Sequence, residues 1–431
     1  MRTRSAWVIA GISLVFAGQA FASEQAPTPF PQGSGDSGAW KTQGNGPAHT
    51  GYYPAIVGPN SFHEEWSVDF DVPINPVVVA EGKIFYTTNG YFIDGMHAGA
   101  LAADTGAVLW KYPLANAYSV NPPSYSCGFL YFQRGNHSGD THLWCIDAKT
   151  GKLKWAAPHA AQWERYMAPT ILGNDIWVCG GSYGGMYRFD ARSGEQKFFV
   201  TQPQEDEWTP TYADGVLYTC VRGEFRASEP ETGATIWAKT TPNAWAWTNT
   251  VVASGGRAFV ACREGLKAFG LNTQTELWNV SGEFSGIPAV ADGLVYACTK
   301  NAVKVFDADS GQPAGSFDAT ESLLSQPIVT RDRVLVASKE KTFVFERSSR
   351  QLLQTLPAGG DLSYANGWLY VASRFEFGPP GKLSAFRVEL VHAEPTPDPT
   401  PTPDPTPTPT PAPTPQPTPQ PTPQPTPQPT P

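Results

Sequence analysis

Six cysteines offer the widest choice of chemistry in this sequence, at positions 127, 145, 179, 220, 262 and 298. Thiols can form disulfides, hold a metal or act as nucleophiles. The last four close similar short apolar runs, such as "DIWVC" and "ADGLVYAC", where a small buried side chain fits. We therefore expect core thiols, although disulfides such as Cys127 with Cys145, or Cys179 with Cys220, stay open.

Other reactive groups lack the spacing that catalysis or metal binding requires. The seven histidines do not cluster at ligand spacing, and the chain contains no nucleophile elbow, phosphate loop or His-Glu-x-x-His motif. His137 and His142 flank a polar hairpin with Asp140, which is more typical of a solvated turn than of a metal site. The sequence therefore predicts no catalytic residue and no metal.

Aromatic and acidic residues gather in the segments that separate the apolar runs. The residues that could contact a ligand there are Tyr118, Trp163, Glu164, Arg165, Tyr166, Glu205, Asp206, Glu207, Trp208, Trp245 and Trp247. Exposed rings beside carboxylates are typical of a surface that binds a sugar or a peptide segment. The alternative is that these rings fill the centre of the fold and pack against the N-terminal segment.

An eleven-residue phrase recurs along the chain and determines the fold that we expect. It occurs as "ALAADTGAVLW", "CIDAKTGKLKW" and "ASEPETGATIW". Its first residue recurs, at intervals of 37 to 45 residues, as Ala100, Cys145, Arg188, Ala227, Ala268, Val305, Val344 and Ala385. Each unit holds four short strands rich in Val, Ile, Tyr, Phe and Trp, with period two. Eight such units predict an all-β, eight-bladed β-propeller of four-stranded antiparallel blades.

The last unit lacks a fourth strand, whereas an extra strand, "EEWSVDF", precedes the first unit. We expect this N-terminal strand to complete blade eight and close the ring, which removes exposed sheet edges. The tryptophans that end the phrase should wedge neighbouring blades together and have no catalytic role. These structural tryptophans are Trp66, Trp110, Trp155, Trp237 and Trp278.

The pattern Ala-x-Asp-x-x-Thr-Gly-x-x-x-Trp resembles the tryptophan-docking motif of pyrroloquinoline-quinone (PQQ) type propellers. That superfamily includes quinoprotein alcohol dehydrogenases and BamB, the propeller subunit of the outer-membrane β-barrel assembly machinery. The match is fullest at Asp147, Thr150, Gly151 and Trp155, and blades three, six and seven are degenerate.

For a dehydrogenase, the resemblance implies PQQ stacked between a tryptophan and a disulfide of adjacent cysteines. It also implies a calcium ion held by Glu, Asn and Asp, with a catalytic Asp. No two cysteines of this chain are adjacent, and no Cys-x-x-Cys-His motif could attach haem. We therefore expect no cofactor, and keep PQQ with calcium as the alternative.

The two ends of the chain differ from the repeats. Residues 1–22 have the charged, apolar and small-residue regions of a signal peptide without a lipobox cysteine, which predicts a secreted or periplasmic protein. Residues 23–63 form a lead-in segment and residues 64–392 the propeller. In residues 393–431 proline occupies every second position from Pro395 onward, which predicts a disordered tail.

These features favour a non-catalytic binding or scaffolding propeller of the cell envelope, with a protein or glycan partner. The net charge of −9 disfavours nucleic acid, and no second apolar stretch could span a membrane. We expect a monomer. The alternatives are a PQQ-dependent oxidoreductase of the quinoprotein type and a surface carbohydrate-binding protein.

Overall fold

The fold is described from a computed structural model of the chain. It describes residues 38–90, 94–115, 117–136, 141–161, 165, 167–241, 248–373 and 381–388. The chain divides into two units, Met1–Val391 and His392–Pro431. The second unit, the predicted signal peptide and the predicted proline-rich tail all lie outside the described residues.

Eight antiparallel sheets form the ring, one for each predicted blade. The strand β1 (His63–Phe70) comes first in the chain. The next four blades contain, in chain order, β2 (Val78–Ala80), β3 (Lys83–Thr87), β4 (His97–Ala102) and β5 (Val108–Pro113); β6 (Ser119–Val120), β7 (Ser124–Ser126), β8 (Phe129–Gly135), β9 (Thr141–Asp147) and β10 (Leu153–His159); β11 (Thr170–Leu172), β12 (Asp175–Cys179), β13 (Met186–Asp190) and β14 (Gln196–Val200); and β15 (Thr211–Ala213), β16 (Val216–Val221), β17 (Glu224–Ser228) and β18 (Thr235–Thr240).

The other four blades follow the same plan. They contain β19 (Val252–Ser254), β20 (Arg257–Cys262), β21 (Gly265–Gly270) and β22 (Thr275–Ser281); β23 (Ser285–Ala291), β24 (Leu294–Cys298), β25 (Ala302–Asp307) and β26 (Pro313–Asp318); β27 (Ile328–Val329), β28 (Arg333–Ala337), β29 (Thr342–Glu346) and β30 (Leu352–Leu356); and β31 (Asp361–Ala365), β32 (Trp368–Ala372) and β33 (Gly381–Arg387). Two short 3-10 helices, Gln43–Asn45 and Gly181–Tyr183, are also present.

The ring closes between the two ends of the propeller. The strand β1 pairs with β33 and supplies the fourth strand of blade eight, with Trp66 opposite Ala385. The predicted closure by an N-terminal strand is therefore confirmed, and so is the eight-bladed fold.

The hydrophobic core lies between neighbouring blades. One cluster, for example, joins Tyr131 and Cys145 of blade two to Ile176, Val178 and Phe189 of blade three. The middle strands are buried on both faces, because each blade is covered by a neighbour on either side. Their sequences are consequently almost continuously apolar.

Four of the eight joints between blades use the same contact between a tryptophan and a glycine. The ring of Trp110 lies so close to Gly151, in the turn of blade two, that a Cβ there would stand 2.6 Å from it. The indole N–H of Trp110 also donates to Ala148 O over 3.0 Å. Trp66, Trp155 and Trp278 make the corresponding indole hydrogen bonds to Ala103, Ala191 and Ala308.

The degenerate blades replace this tryptophan in three different ways. In blade three, Phe198 occupies the position and packs on Gly233, while Trp177 donates its indole N–H to Pro230 O over 3.3 Å. In blade six the position is Gly315, and the guanidinium of Arg350 from blade seven lies against it and donates to Ala314 O.

In blade seven the position is Gln354, which binds the lead-in instead. Its side-chain amide accepts from Phe62 N and donates to Phe62 O, over 2.9 and 2.8 Å. The Phe62 ring then contacts Tyr364 of blade eight edge-on, at a centroid distance of 6.4 Å. The lead-in therefore supplies the wedge that blade seven lacks.

Candidate functional site

A cavity of about 390 Å³ opens at the centre of the ring, and every blade contributes to its wall. The wall is formed mainly by the segments that lead into the first strand of each blade and by the starts of those strands, and Asn89 reaches it from the β3–β4 hairpin. Its polar side chains include Asn75, Asn89, Ser119, Asn121, Arg165, Glu207, Thr248, Asn249, Ser285, Gln326, Asp361 and Ser363. A volume of this order is typical of ligand-binding pockets.

The lead-in segment forms the floor of the cavity, where it contributes Trp40, Gln43 and Gly44. Backbone N–H groups from six blades donate to this segment: Val79 to Trp40, Tyr125 to Lys41, Tyr212 to Pro47, Ala253 to Ala48, Val290 to Thr50 and Val329 to Gly51. Because the lead-in pairs with inner strands around the ring, it is fixed in place and closes one end of the channel.

His49 fastens the lead-in to blades three and four. Its Nδ1 lies 2.7 Å from Gln43 O, and its Nε2 lies 3.0 Å from Thr170 Oγ1 and 3.3 Å from Pro210 O. The side chain is fully buried. Burial lowers the pKa of His49 because the charged imidazolium is desolvated.

Arg165 and the acidic loop of blade four form an ionic bridge at the mouth of the cavity. The guanidinium of Arg165 lies 2.9 Å from the Glu207 carboxylate, and Arg165 N donates to Asp206 Oδ2 over 3.4 Å. Glu205 pairs in turn with Arg222 at 3.2 Å. The acidic side chains of this loop therefore join neighbouring segments. Of the residues in this ionic bridge, Arg165 and Glu207 line the cavity.

Trp208 differs from its predicted role as an exposed ring. It is fully buried in a cluster with Trp177, Met186 and Leu217, and its indole N–H donates to Glu205 O over 2.9 Å. It lies just before the first strand of blade four, and its indole ring packs between blades three and four. The expectation that Trp208 lies on a binding surface is therefore wrong.

The other predicted ligand-binding residues are not tested by the cavity. Tyr118 is half-buried and does not line it. The remaining five lie outside the described residues: Trp163, Glu164, Tyr166, Trp245 and Trp247. Their role stays a prediction.

Besides Arg165 and Glu207, the cavity contains polar side chains that the sequence did not predict. Asn75, Asn121 and Gln326 each precede a proline that lies just before an inner strand, which is β2, β7 or β27. These Asn-Pro and Gln-Pro dipeptides are recognisable in the sequence as the boundaries before inner strands. Its polar side chain could have been recognised as facing the axis, because first strands are the innermost strands of a propeller blade.

None of the six cysteines forms a disulfide in this structure, and all except Cys127 are buried. Burial raises the pKa of Cys220 and Cys298 to about 12, and that of Cys262 to about 11. Such thiols stay protonated and unreactive. The pairs that the sequence left open, Cys127 with Cys145 and Cys179 with Cys220, are not bonded in this structure, and the burial of Cys179, Cys220, Cys262 and Cys298 agrees with their interpretation as small core residues.

The described residues do not fit a PQQ–calcium group. The chain has no adjacent cysteines that could form the disulfide platform. Within the described ranges, no three His, Cys, Asp or Glu side chains come together as a metal site. The acids that line the cavity are Glu207, which is paired with Arg165, and Asp361. The residue types Glu, Asn and Asp that the resemblance implies are present in the lining, but its Glu is committed to Arg165, so the poor fit rests on that ion pair and on the missing cysteine platform.

The family described as outer membrane protein assembly factor BamB matches residues 94–244 and 221–363, which together exceed half of the chain. The chain belongs to this family. The resemblance to PQQ-type propellers is thereby confirmed. Among the residues that the structure describes, this BamB-family chain has no helix long and apolar enough to cross a membrane.

Solved structures share the fold of this BamB-family chain at low sequence identity. BamB from Moraxella catarrhalis is 16% identical with a TM-score of 0.61, and the match covers 76% of this chain and 100% of that one. A europium-containing methanol dehydrogenase is 12% identical with a TM-score of 0.66, covering 82% and 99%. At these identities the likeness shows the fold alone.

A curated relative is the serine/threonine-protein kinase AfsK of Streptomyces griseus, 24% identical over 262 residues. The match covers 54% of this BamB-family chain and 30% of the kinase. The chain thus spans less than a third of the length of that relative.

Proposed function

We propose that this protein is an exported, non-catalytic scaffold of the cell envelope that receives a protein partner at the mouth of its central cavity. The observation that carries the proposal is the construction of the cavity. Its floor is tied to the inner strands by backbone hydrogen bonds, so a partner can approach from one face, to which all eight blades contribute. The predicted signal peptide and the family's description as an outer membrane assembly factor support this location.

The mouth of the cavity combines polar and apolar contacts, as protein-binding surfaces do. Leu324 is 38% exposed and lines the cavity, as do Met167, Ser285 and Asn249. The net charge of −9 argues against a nucleic acid partner and favours a neutral or basic one. We expect the protein to act as a monomer.

A quinoprotein oxidoreductase is the second candidate, supported by the fold shared with the europium-containing methanol dehydrogenase. The poor fit of the cavity to PQQ and calcium makes it the weaker one. A carbohydrate-binding role has less support, because the aromatic ring among the described lining residues is that of Trp40, which is 3% exposed. A sugar needs an accessible ring on which to stack.

Photo-crosslinking in intact cells tests the scaffold. A photoreactive amino acid at Leu324, on the cavity face, should give a discrete protein adduct. Leu172 is a matched control, since it is similarly exposed at 42% but ends the first strand of blade three, away from the cavity face. Equal adducts from both positions, or none from position 324, would overturn the proposal.

A further inference from the structure

Several amide side chains of the cavity wall already have partners within the protein. Asn249 Nδ2 donates to Ala261 O and Gly286 O, each over 2.8 Å. Asn75 and Gln326 also donate, through their side-chain nitrogens, to oxygens of the chain. These amides are therefore held in fixed orientations, and their donors are not available to a ligand.

Two polar atoms of the lining residues have no such partner among the described residues. One is Oγ of Ser119, a side chain that is 3% exposed at the start of β6. The other is Oε1 of Gln43, in the floor of the cavity. Buried polar atoms of folded proteins are normally hydrogen-bonded, because an unpartnered one costs folding free energy. Since both residues line the same cavity, a polar group bound there could satisfy them.

The charged side chains of the wall are already engaged. The guanidinium of Arg165 lies 2.9 Å from the Glu207 carboxylate, and Asp361 also has an interaction within the chain. The atoms that lack partners, on Ser119 and Gln43, are uncharged. The cavity therefore suits an uncharged polar group, because a charged one would lose its hydration without gaining an uncommitted opposite charge.

The chemistry of Ser119 and Gln43 matches a primary carboxamide. A serine hydroxyl both donates and accepts, and a carboxamide has two N–H donors beside an accepting oxygen. One N–H of a ligand carboxamide can therefore donate to Gln43 Oε1, while the other N–H or the oxygen is offered to Ser119 Oγ. The match holds for either orientation of the Gln43 amide, because the ligand amide can turn to present its oxygen in place of an N–H.

We propose that the cavity binds a primary carboxamide, presented as an asparagine or glutamine side chain on a loop of the protein partner. Its amide would hydrogen-bond to Gln43 and Ser119. Its methylene groups would pack on Met167 and Ile287, which line the same cavity. This inference rests on the proposed protein-binding function and names what the partner must present.

Isothermal titration of the full-length mature protein with three peptides tests the inference. The first is Ac-Gly-Ala-Gln-Ala-Gly-N-methylamide, in which the methylated end leaves the glutamine as the one primary carboxamide. The other two carry Nε,Nε-dimethylglutamine or methionine in its place. The glutamine peptide should bind about tenfold more tightly than either analogue. Dimethylation removes both donors of the amide, and methionine removes the amide itself.

Substitutions in the lining test whether the preference comes from the two unpartnered atoms. Gln43→Met should abolish the preference for the glutamine peptide, and Ser119→Ala should weaken its binding several-fold. Gln43 Oε1 and Ser119 Oγ have no partner to lose among the described residues, so both variants should fold as the wild type does, which circular dichroism checks. Gln196→Met, at the exposed start of β14, is the matched control and should bind as the wild type does.

The inference is overturned if the three peptides bind alike, if none binds, or if the Gln43 and Ser119 variants retain the wild-type preference. Saturable binding of glucose that displaces the glutamine peptide would also overturn it, by assigning the cavity to a sugar. Failure here together with a protein adduct from position 324 would leave the scaffold standing. Absence of that adduct would remove the scaffold itself.

Discussion

At the scale of single residues, the propeller depends on a close approach between a ring and a backbone. Trp110 needs Gly151 because any side chain at that position would occupy the space of the indole. Gly151 also has a φ of +69°, which favours glycine independently of the contact. The two effects can be separated, because Gly82 has a φ of +68° and open space around it.

We predict that Gly82→Ala lowers the free energy of unfolding by about 1–2 kcal/mol, the cost of left-handed backbone for alanine. Gly151→Ala should cost roughly 1–3 kcal/mol more, because the indole must also move. Urea unfolding of both variants measures the difference. Equal costs would show that the wedge contact contributes nothing beyond the backbone conformation.

Arg350 and Gly315 should be energetically coupled across the joint between blades six and seven. A Cβ at Gly315 would collide with the Arg350 guanidinium. Gly315→Ala should therefore cost roughly 1–3 kcal/mol less in an Arg350→Gly background than in the wild type. The backbone strain of alanine is the same in both backgrounds and cancels in the double-mutant cycle. A coupling of zero would mean that Arg350 does not replace the missing tryptophan.

At the scale of elements, the lead-in is the segment that the sequence predicted least well. The blades can be predicted from the spacing of the segment Cys145–Trp155 and its copies, because the same contact between blades requires the same residues in each repeat. The lead-in binds mainly through backbone hydrogen bonds, which any residue can make, and so it has no comparable signature. The substitutions at Phe198, Gly315 and Gln354 were also hidden, because their partners are distant in sequence.

The lead-in should make stability depend on pH through His49. Burial lowers the pKa of His49 in the folded state, so below the unfolded pKa of about 6.5 the unfolded chain binds more protons. The free energy of unfolding should therefore fall as pH drops from about 7 to 5, with His49 contributing at most about 1.4 kcal/mol per pH unit. Burial also lowers the pKa of His159, to about 4, and adds to the slope.

Chemical denaturation at a series of pH values measures this slope. His49→Gln should make it shallower, while His63→Gln, at an exposed position of β1, should leave it as in the wild type. An unchanged slope in the His49 variant would mean that the imidazole is not held neutral in the centre of the ring.

At the scale of the whole molecule, the sequence predicted the ring, its closure by β1 and the face where connecting segments meet. It did not predict the cavity's chemistry. The aromatic and acidic residues were selected by type, yet Trp208 is core and Glu205 and Glu207 are paired with arginines. Asn75, Ser119 and Gln326 face the axis because of their place at the start of inner strands, which depends on the closed ring.

We infer that this ring binds a partner and does not carry out quinone chemistry. The most direct test is to incubate the purified protein with PQQ and calcium chloride, remove free quinone by gel filtration, and record absorbance and dye-linked alcohol oxidation. We expect no retained quinone band and no alcohol-dependent reduction of the dye. Stoichiometric retention of PQQ together with alcohol oxidation would contradict it.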